Sequence, residues 1–178
     1  MVQLGAQKIR ADRLAGGMSV QDALLHDLLK LTNRLMAPFS THLAHRYRIS
    51  LNEFRTLMSI GTLGRTASHE VVELTGVNVM SVSRAVATLQ RHGRVHVERD
   101  SANRRRKWLT LTEEGERLYE VMRPQSEKVA AYLFAELDGE DLAVLDDLVG
   151  RLVVKLEAKD ASGRSAFIEA TKPEDDEA

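Results

Sequence analysis

Apolar residues recur at Leu24, Leu28, Leu31, Leu35, Phe39 and Leu43, in steps of three and four. That spacing predicts one face of a long helix from Val20 to about Arg48. Pro38 lies inside it and should kink it or weaken one turn. Ser50 and Glu53 have capping-box spacing and predict a second helix over about 50–60, broken by Gly61 and Gly64. Thr66 is the expected N-cap of a short helix from Ala67 to Thr75. Gly76 then makes a tight turn, Asn78 caps a helix over 79–92, and Gly93 ends it.

After Gly93 the period changes. Val95-His96-Val97-Glu98-Arg99 and Lys107-Trp108-Leu109-Thr110-Leu111 alternate, so each reads as a strand with one buried face. The intervening Asp100–Arg106 suits an exposed hairpin tip. Thr112, with Glu113 and Glu114, starts a second long helix that contains Pro124. A last helix is expected from about Gly139 to Ala158, striped by Leu142, Leu145, Leu148, Val149, Leu152, Val153 and Leu156. Residues 1–19 carry a weak helical pattern ending at Gly16-Gly17 and read as a mobile arm or an extra short helix. Residues 159–178 turn polar and end in Pro-Glu-Asp-Asp-Glu-Ala, an expected disordered acidic tail. The order helix, three-residue turn, helix, strand, strand is that of a winged helix-turn-helix. The fold class is therefore mainly α (α+β), with long helices flanking the winged unit.

Composition narrows the chemistry. The 178 residues fit one domain with a small appended element. The chain is 43% hydrophobic but only 4% aromatic, so its core must be built from Leu, Val and Ala. It has no cysteine, which excludes disulfides and thiolate metal sites. The N-terminus lacks the apolar run of a signal peptide, and no window of 18 apolar residues predicts a membrane span, so a cytoplasmic protein is expected. There is no P-loop, dinucleotide fingerprint, Gly-x-Ser-x-Gly or His-Glu-x-x-His motif, so neither catalysis nor a cofactor is expected. His42 with His45, and His69 with Glu70, have spacings that metals use, but four converging ligands are not visible and no metal site is expected.

Charge changes the picture most. Residues 78–112 hold eight cations (Arg84, Arg91, Arg94, Arg99, Arg104, Arg105, Arg106 and Lys107) against Glu98 and Asp100, a local balance of 8 − 2 = +6. The whole chain carries −1. Positive charge concentrated on one helix–hairpin unit points to a polyanion. A helix of this size fits the DNA major groove, and an arginine-rich hairpin fits the narrow minor groove. Ser81 and Ser83 can donate or accept there. Arg84 can chelate guanine or hold a phosphate. Ser68 and His69, at the start of the preceding helix, can position a further phosphate.

The stretch LTGVNVMSVSRAVATLQRHGRVHVERDSANRRRKWLTLTEEG resembles the core of the MarR family of transcription regulators. Ser83-Arg84 matches the family's Ser/Thr-Arg pair, and Leu89 and Gly93 match the end of the same helix. Arg99-Asp100 opens the wing, Arg104 and Arg105 fill its basic positions, and Leu111-Thr112 with Gly115 closes it. The match is densest over about 50–118 and, through the order of the flanking long helices, the resemblance extends to 20–158. Within that span the winged helix-turn-helix would cover about 50–112 and the dimerisation helices about 20–48 and 113–158. Two positions depart from the family. Ala102 stands where a basic residue is common, and Asn103 where a second acid often braces the wing. The wing is then braced by Asp100 alone or is more mobile, and Arg104, Arg105 and Arg106 are not ranked by sequence.

The resemblance implies a homodimer on a palindromic operator, acting as a repressor released by a small effector such as an aromatic carboxylate or phenol. The wide stripes of the first and last helices agree with a helical partner surface, although the two could instead pack on each other. An anionic effector needs a cation beside an apolar wall. His42, Arg46, Arg55 and Trp108 are the candidates. Arg46 and Arg55 could equally form salt bridges, His42 could be solvated, and Trp108 could be wing core. The competing functions are a ligand-independent dimeric regulator or activator, and a small-molecule carrier with no DNA target.

Overall fold

The computed structural model describes residues 8, 11–101, 103 and 106–173. Helix α1 spans Val20–Leu35, with Ser19 Oγ accepting from the Asp22 N–H. The predicted long helix does not continue unbroken. It resumes as a turn at Ala37–Phe39 with Pro38 in its first positions, a π-helical stretch at Ser40–Ala44, and a last turn at His45–Tyr47. Pro38 thus sits where its missing N–H costs least. Arg48 ends the run in the left-handed region, at φ 48°.

Helix α2 is Leu51–Leu63, and its Ser50–Glu53 capping box forms as the spacing predicts. The expected break at Gly61 does not occur, and α2 continues to Gly64. Gly61 serves packing instead. A Cβ there would overlap the ring of Tyr119, so glycine permits that close approach. The assignment of Thr66 as an N-cap is also corrected. Thr66–Ala67 form a short strand, β1, and Ala67 is the N-cap of α3, Ser68–Thr75. Thr66 Oγ1 donates to Glu70 Oε2 at 2.6 Å, and the Ala67 N–H donates to the same oxygen at 2.6 Å.

Gly76, in the left-handed region, ends α3, and Asn78 Oδ1 accepts from the Ser81 N–H to start α4, Val79–Arg91. Strands β2, Val95–Arg99, and β3, Lys107–Leu111, pair antiparallel from Val95↔Leu111 to Arg99↔Lys107. β1 adds to the other edge of β3, giving the order β1-β3-β2. The core under this sheet gathers Leu57 and Ile60 from α2, Val71 from α3, Val82 and Leu89 from α4, and Leu109 from β3. Leu118 and Met122 of α5, Glu113–Leu133, complete it, together with Leu43 and Ile49. α5 runs through Pro124 without ending.

Contacts divide the chain into two units, Met1–Val129 and Ala130–Ala178. The second holds α6, Gly139–Glu157, which starts at an Asp138 cap and has no buried residue. Within residues 159–173, part of the expected disordered tail, the chain forms local structure. Lys159 bridges to Ser165, and α7 follows at Ala166–Ala170. Asp160 organises that turn. Its carboxylate accepts from the Ser162 hydroxyl and the Arg164 N–H, which hold its carboxyl below the usual range. Residues 174–178 of the tail lie outside the described residues, as do 1–7, 9 and 10 of the arm. Residues 11–15 are helical ahead of the Gly16-Gly17 turn.

Candidate nucleic-acid interface

Helix α4 buries Val82, Ala85, Val86 and Leu89 and turns the opposite face outward. Met80, Ser83, Arg84, Ala87, Gln90 and Arg91 are exposed on that face, while Ser81 is half-buried. The alternation follows from 3.6 residues per turn, since every third or fourth residue returns to the core. α4 contains no Asp or Glu. Its first turn has no acidic residue, whereas those of α1, α2, α3, α5, α6 and α7 each have at least one. The positive end of its dipole is therefore not neutralised from within the helix.

Asn78 is exposed, and its side-chain oxygen is committed to the cap. Ser68 and His69 open α3, half-buried and exposed respectively. Glu70 beside them has its pKa lowered, first by the Thr66 hydroxyl and then by the Ala67 N–H.

The wing has a defined brace. Trp108 Nε1–H donates to Asp100 Oδ2 at 3.1 Å, and Asp100 Oδ1 accepts from the Asn103 N–H at 3.2 Å. The Trp108 ring holds two guanidinium groups, Arg106 at 3.9 Å and Arg65 at 4.4 Å from its centre. Arg65 also pairs with Glu98 at 3.2 Å, and Arg106 lies 3.7 Å from Glu70. The sequence does not rank Arg106 against Arg104 and Arg105 for contact with DNA. In the structure Arg106 turns inward across the indole, with its Nε buried. Arg104 and Arg105, the other two, lie outside the described residues, as does Ala102. The hairpin register adds a pair that sequence reasoning did not select. Arg99 and Lys107 are exposed and directly opposite each other across β2 and β3. Like charges so placed repel unless an anion lies between them. Only the strand register, not their order in the chain, brings them together.

The four effector candidates do not converge. His42 and Arg46 line one open cleft of about 460 Å³ with Leu43, Tyr47, Val121 and Gln125. Arg46 lies 5.5 Å from the centre of the Tyr47 ring. Arg55 and Trp108 are not in its lining. Arg55 is directed to Met36 Sδ, at 3.6 Å, and Trp108 belongs to the wing brace. Among the described residues no group of three or more His, Asp or Glu converges as a metal site, and no helix is long and apolar enough to cross a membrane.

Arg94 joins the winged unit to the first helical run. Its Nη2 donates to the Tyr47 carbonyl at 2.7 Å, and its Nη1 reaches the Arg48 carbonyl at 3.4 Å. The Arg94 carbonyl accepts from the Thr112 N–H, and Gly115 packs so closely on it that any Cβ would clash.

Residues 49–107 match the sequence model of the MarR family. Over 130 residues the chain is 22% identical to an uncharacterised HTH-type transcriptional regulator, YwaE, of Bacillus subtilis (strain 168). That alignment covers 73% of this chain and 76% of the relative. The fold is shared with a MarR/EmrR family transcriptional regulator from Acinetobacter sp. ADP1. There the TM-score is 0.69 at 23% identity, over 79% of this chain and 99% of that one. It is also shared with BpsR of Bordetella bronchiseptica, whose DNA binding is regulated by 6-hydroxynicotinic acid. The TM-score is 0.63 at 23% identity, over 72% and 97% of the two chains.

Proposed function

Through residues 49–107 the chain belongs to the MarR family of transcription regulators, a DNA-binding class, and on that premise we propose that it is a homodimeric repressor released from a palindromic operator by a small aromatic acid or phenol. The observation that carries this reading is the outward face of α4, which exposes Ser83 and Arg84 on a helix with no acidic side chain. In this reading α4 enters the major groove, Ser81, Ser83 and Arg84 meet base edges and phosphates, and Asn78 fixes the first turn. Ser68 and His69 approach the flanking backbone. Arg104 and Arg105, with Arg99 and Lys107, serve the minor groove, and Arg106 holds the wing in place.

Dimerisation rests on exposed apolar surface. Leu24, Leu25 and Leu29 of α1 are 48–56% exposed, and Leu148, Val149 and Leu152 of α6 are 46–49% exposed. A second copy would cover such faces. The effector reading is supported by the cleft of His42 and Arg46, where the Arg46 guanidinium and the His42 imidazole stand with Leu43 and Val121. BpsR is a fold relative whose DNA binding responds to an aromatic acid.

Gel shifts over a salt series test the DNA assignment. Arg84→Ala should weaken specific binding and relax base preference by about 1–3 kcal/mol. Arg105→Ala should weaken binding to many sequences alike and flatten the salt slope by about one. Unchanged affinity in both variants rejects the assignment. A thermal-shift screen with aromatic acids tests the effector, and a screen in which no compound both stabilises the protein and releases DNA favours a ligand-independent regulator.

A further inference from the structure

Two large apolar side chains stand in solvent at the start of α4. Val79 is 67% exposed and Met80 is 64% exposed. Among the described residues of the winged segment they are the most exposed large hydrophobics, ahead of Leu74 and Leu63. Neither has a local reason to be there. Valine is a mediocre helix former, and the first turn of a helix favours acidic residues rather than apolar ones. The Asn78 cap already fixes the turn without them. Helical projection puts Met80 between Ser83 and Arg84, in the middle of the outward arc, and Val79 at its edge beside Ser83.

We propose that Val79 and Met80 are specificity determinants that read thymine C5-methyl groups in the major groove. The inference rests on α4 being the groove-facing helix. In the major groove the thymine methyl is the apolar feature that distinguishes one base from the others. A methionine is flexible enough to fit against it, and a valine offers a rigid branched surface. Arg84 and Arg91 on the same arc, with no acidic neighbour in the helix, supply the attraction that holds these side chains against a polyanion. Two apolar contacts therefore sit among polar readers, and together they select A·T pairs at defined positions next to the base read by Arg84.

The test begins with selection of a preferred duplex from random DNA by the full-length protein. Each thymine is then replaced in turn by deoxyuridine, which removes only the methyl group, and affinity is followed by fluorescence anisotropy. At one or two thymines per half-site, deoxyuridine should weaken the wild type about fourfold, as expected for one buried methyl. Met80→Ala or Val79→Ala should erase that difference at its own thymine and leave the other positions alone. Both side chains are solvent-exposed, so circular dichroism should report unchanged folding. Equal affinity for thymine and deoxyuridine at every position overturns the inference, as does a full difference retained in both variants. Selection of a defined sequence without thymine-methyl dependence leaves the DNA-binding reading standing and removes this one. Failure to enrich any sequence removes both.

Discussion

Arg94 is a single residue on which three segments depend, and replacing it gives a measurable loss. It follows Gly93 at the end of α4, reaches back to the carbonyls of Tyr47 and Arg48, and offers its own carbonyl to Thr112 at the entry to α5. Arg94→Met keeps most of the aliphatic stem and removes the guanidinium. The bond to Tyr47, at 2.7 Å, is short and charge-assisted, whereas the 3.4 Å approach to Arg48 is too long to add much. A hydrogen bond to a charged group contributes about 1.5–3 kcal/mol. Arg94 is half-buried and Arg48 is exposed, so solvent replaces part of the loss and the lower figure applies. The expected destabilisation is about 1.5 kcal/mol.

Urea unfolding reads this directly. Trp108 is the chain's one tryptophan and lies in the wing core, so its fluorescence follows the winged unit alone. The urea midpoint should fall with an unchanged slope, at fixed protomer concentration because dimerisation would add to apparent stability. Arg94→Lys should recover only part of the loss, since an ammonium is a strongly hydrated point charge on a flexible stem and lacks the planar guanidinium's fixed aim at the Tyr47 carbonyl. A Met variant within about 0.5 kcal/mol of the wild type, the range of ordinary surface changes, would refute the proposed clamp.

Two further outcomes follow from the packing and the caps. Gly61→Ala should gain about 1 kcal/mol from helix propensity and lose about 1–3 kcal/mol from overlap with Tyr119, for a net fall in thermal midpoint by calorimetry. A rise would mean that the Tyr119 ring swings aside freely. Glu70 gives a pH dependence. Its folded pKa lies below the ordinary 4.5 because the Thr66 hydroxyl and then the Ala67 N–H bind its charged form. That stabilisation is fully present above 4.5 and disappears as pH falls through the lower folded value. Melting curves of wild type and Glu70→Gln should differ at neutral pH and converge in acid; a constant gap would show that Glu70 acts through packing.

Much of this was legible along the chain because it is local. Ser50 with Glu53, Asn78 before Val79, and Gly93 after α4 act within four residues of themselves, and each does what its spacing predicts. The features that escaped are set by partners remote in sequence. Gly61 looks like a breaker until Tyr119 is placed against it. Thr66–Ala67 are too short to alternate, and become a strand only because β3 offers a second edge. Arg106 is indistinguishable from Arg104 and Arg105 in the sequence, yet an indole face and Glu70 draw it inward. Likewise, His42 and Arg46 share a helical face and a cleft, whereas Arg55 and Trp108, on other elements, do not line it.

The wing shows how the departures from the family pattern are absorbed. Asn103 replaces the expected second acid with a neutral side chain, but its backbone N–H still caps Asp100. The same carboxylate takes the Trp108 indole, and the indole is stacked on Arg106, whose guanidinium faces Glu70 at the start of α3. Loss of one acid therefore does not leave the wing unbraced, because a cation–π contact worth about 0.5–2 kcal/mol adds to the Arg106–Glu70 pair. The Trp108–Asp100 hydrogen bond of this brace is part-buried, and partly buried contacts are screened by salt less than those between fully exposed charges. In the proposed interface, the outward cations of α4 and the wing would lose a polyanion at ionic strengths that leave this brace in place. Salt should then release DNA from this protein without loosening the hairpin that presents its charges.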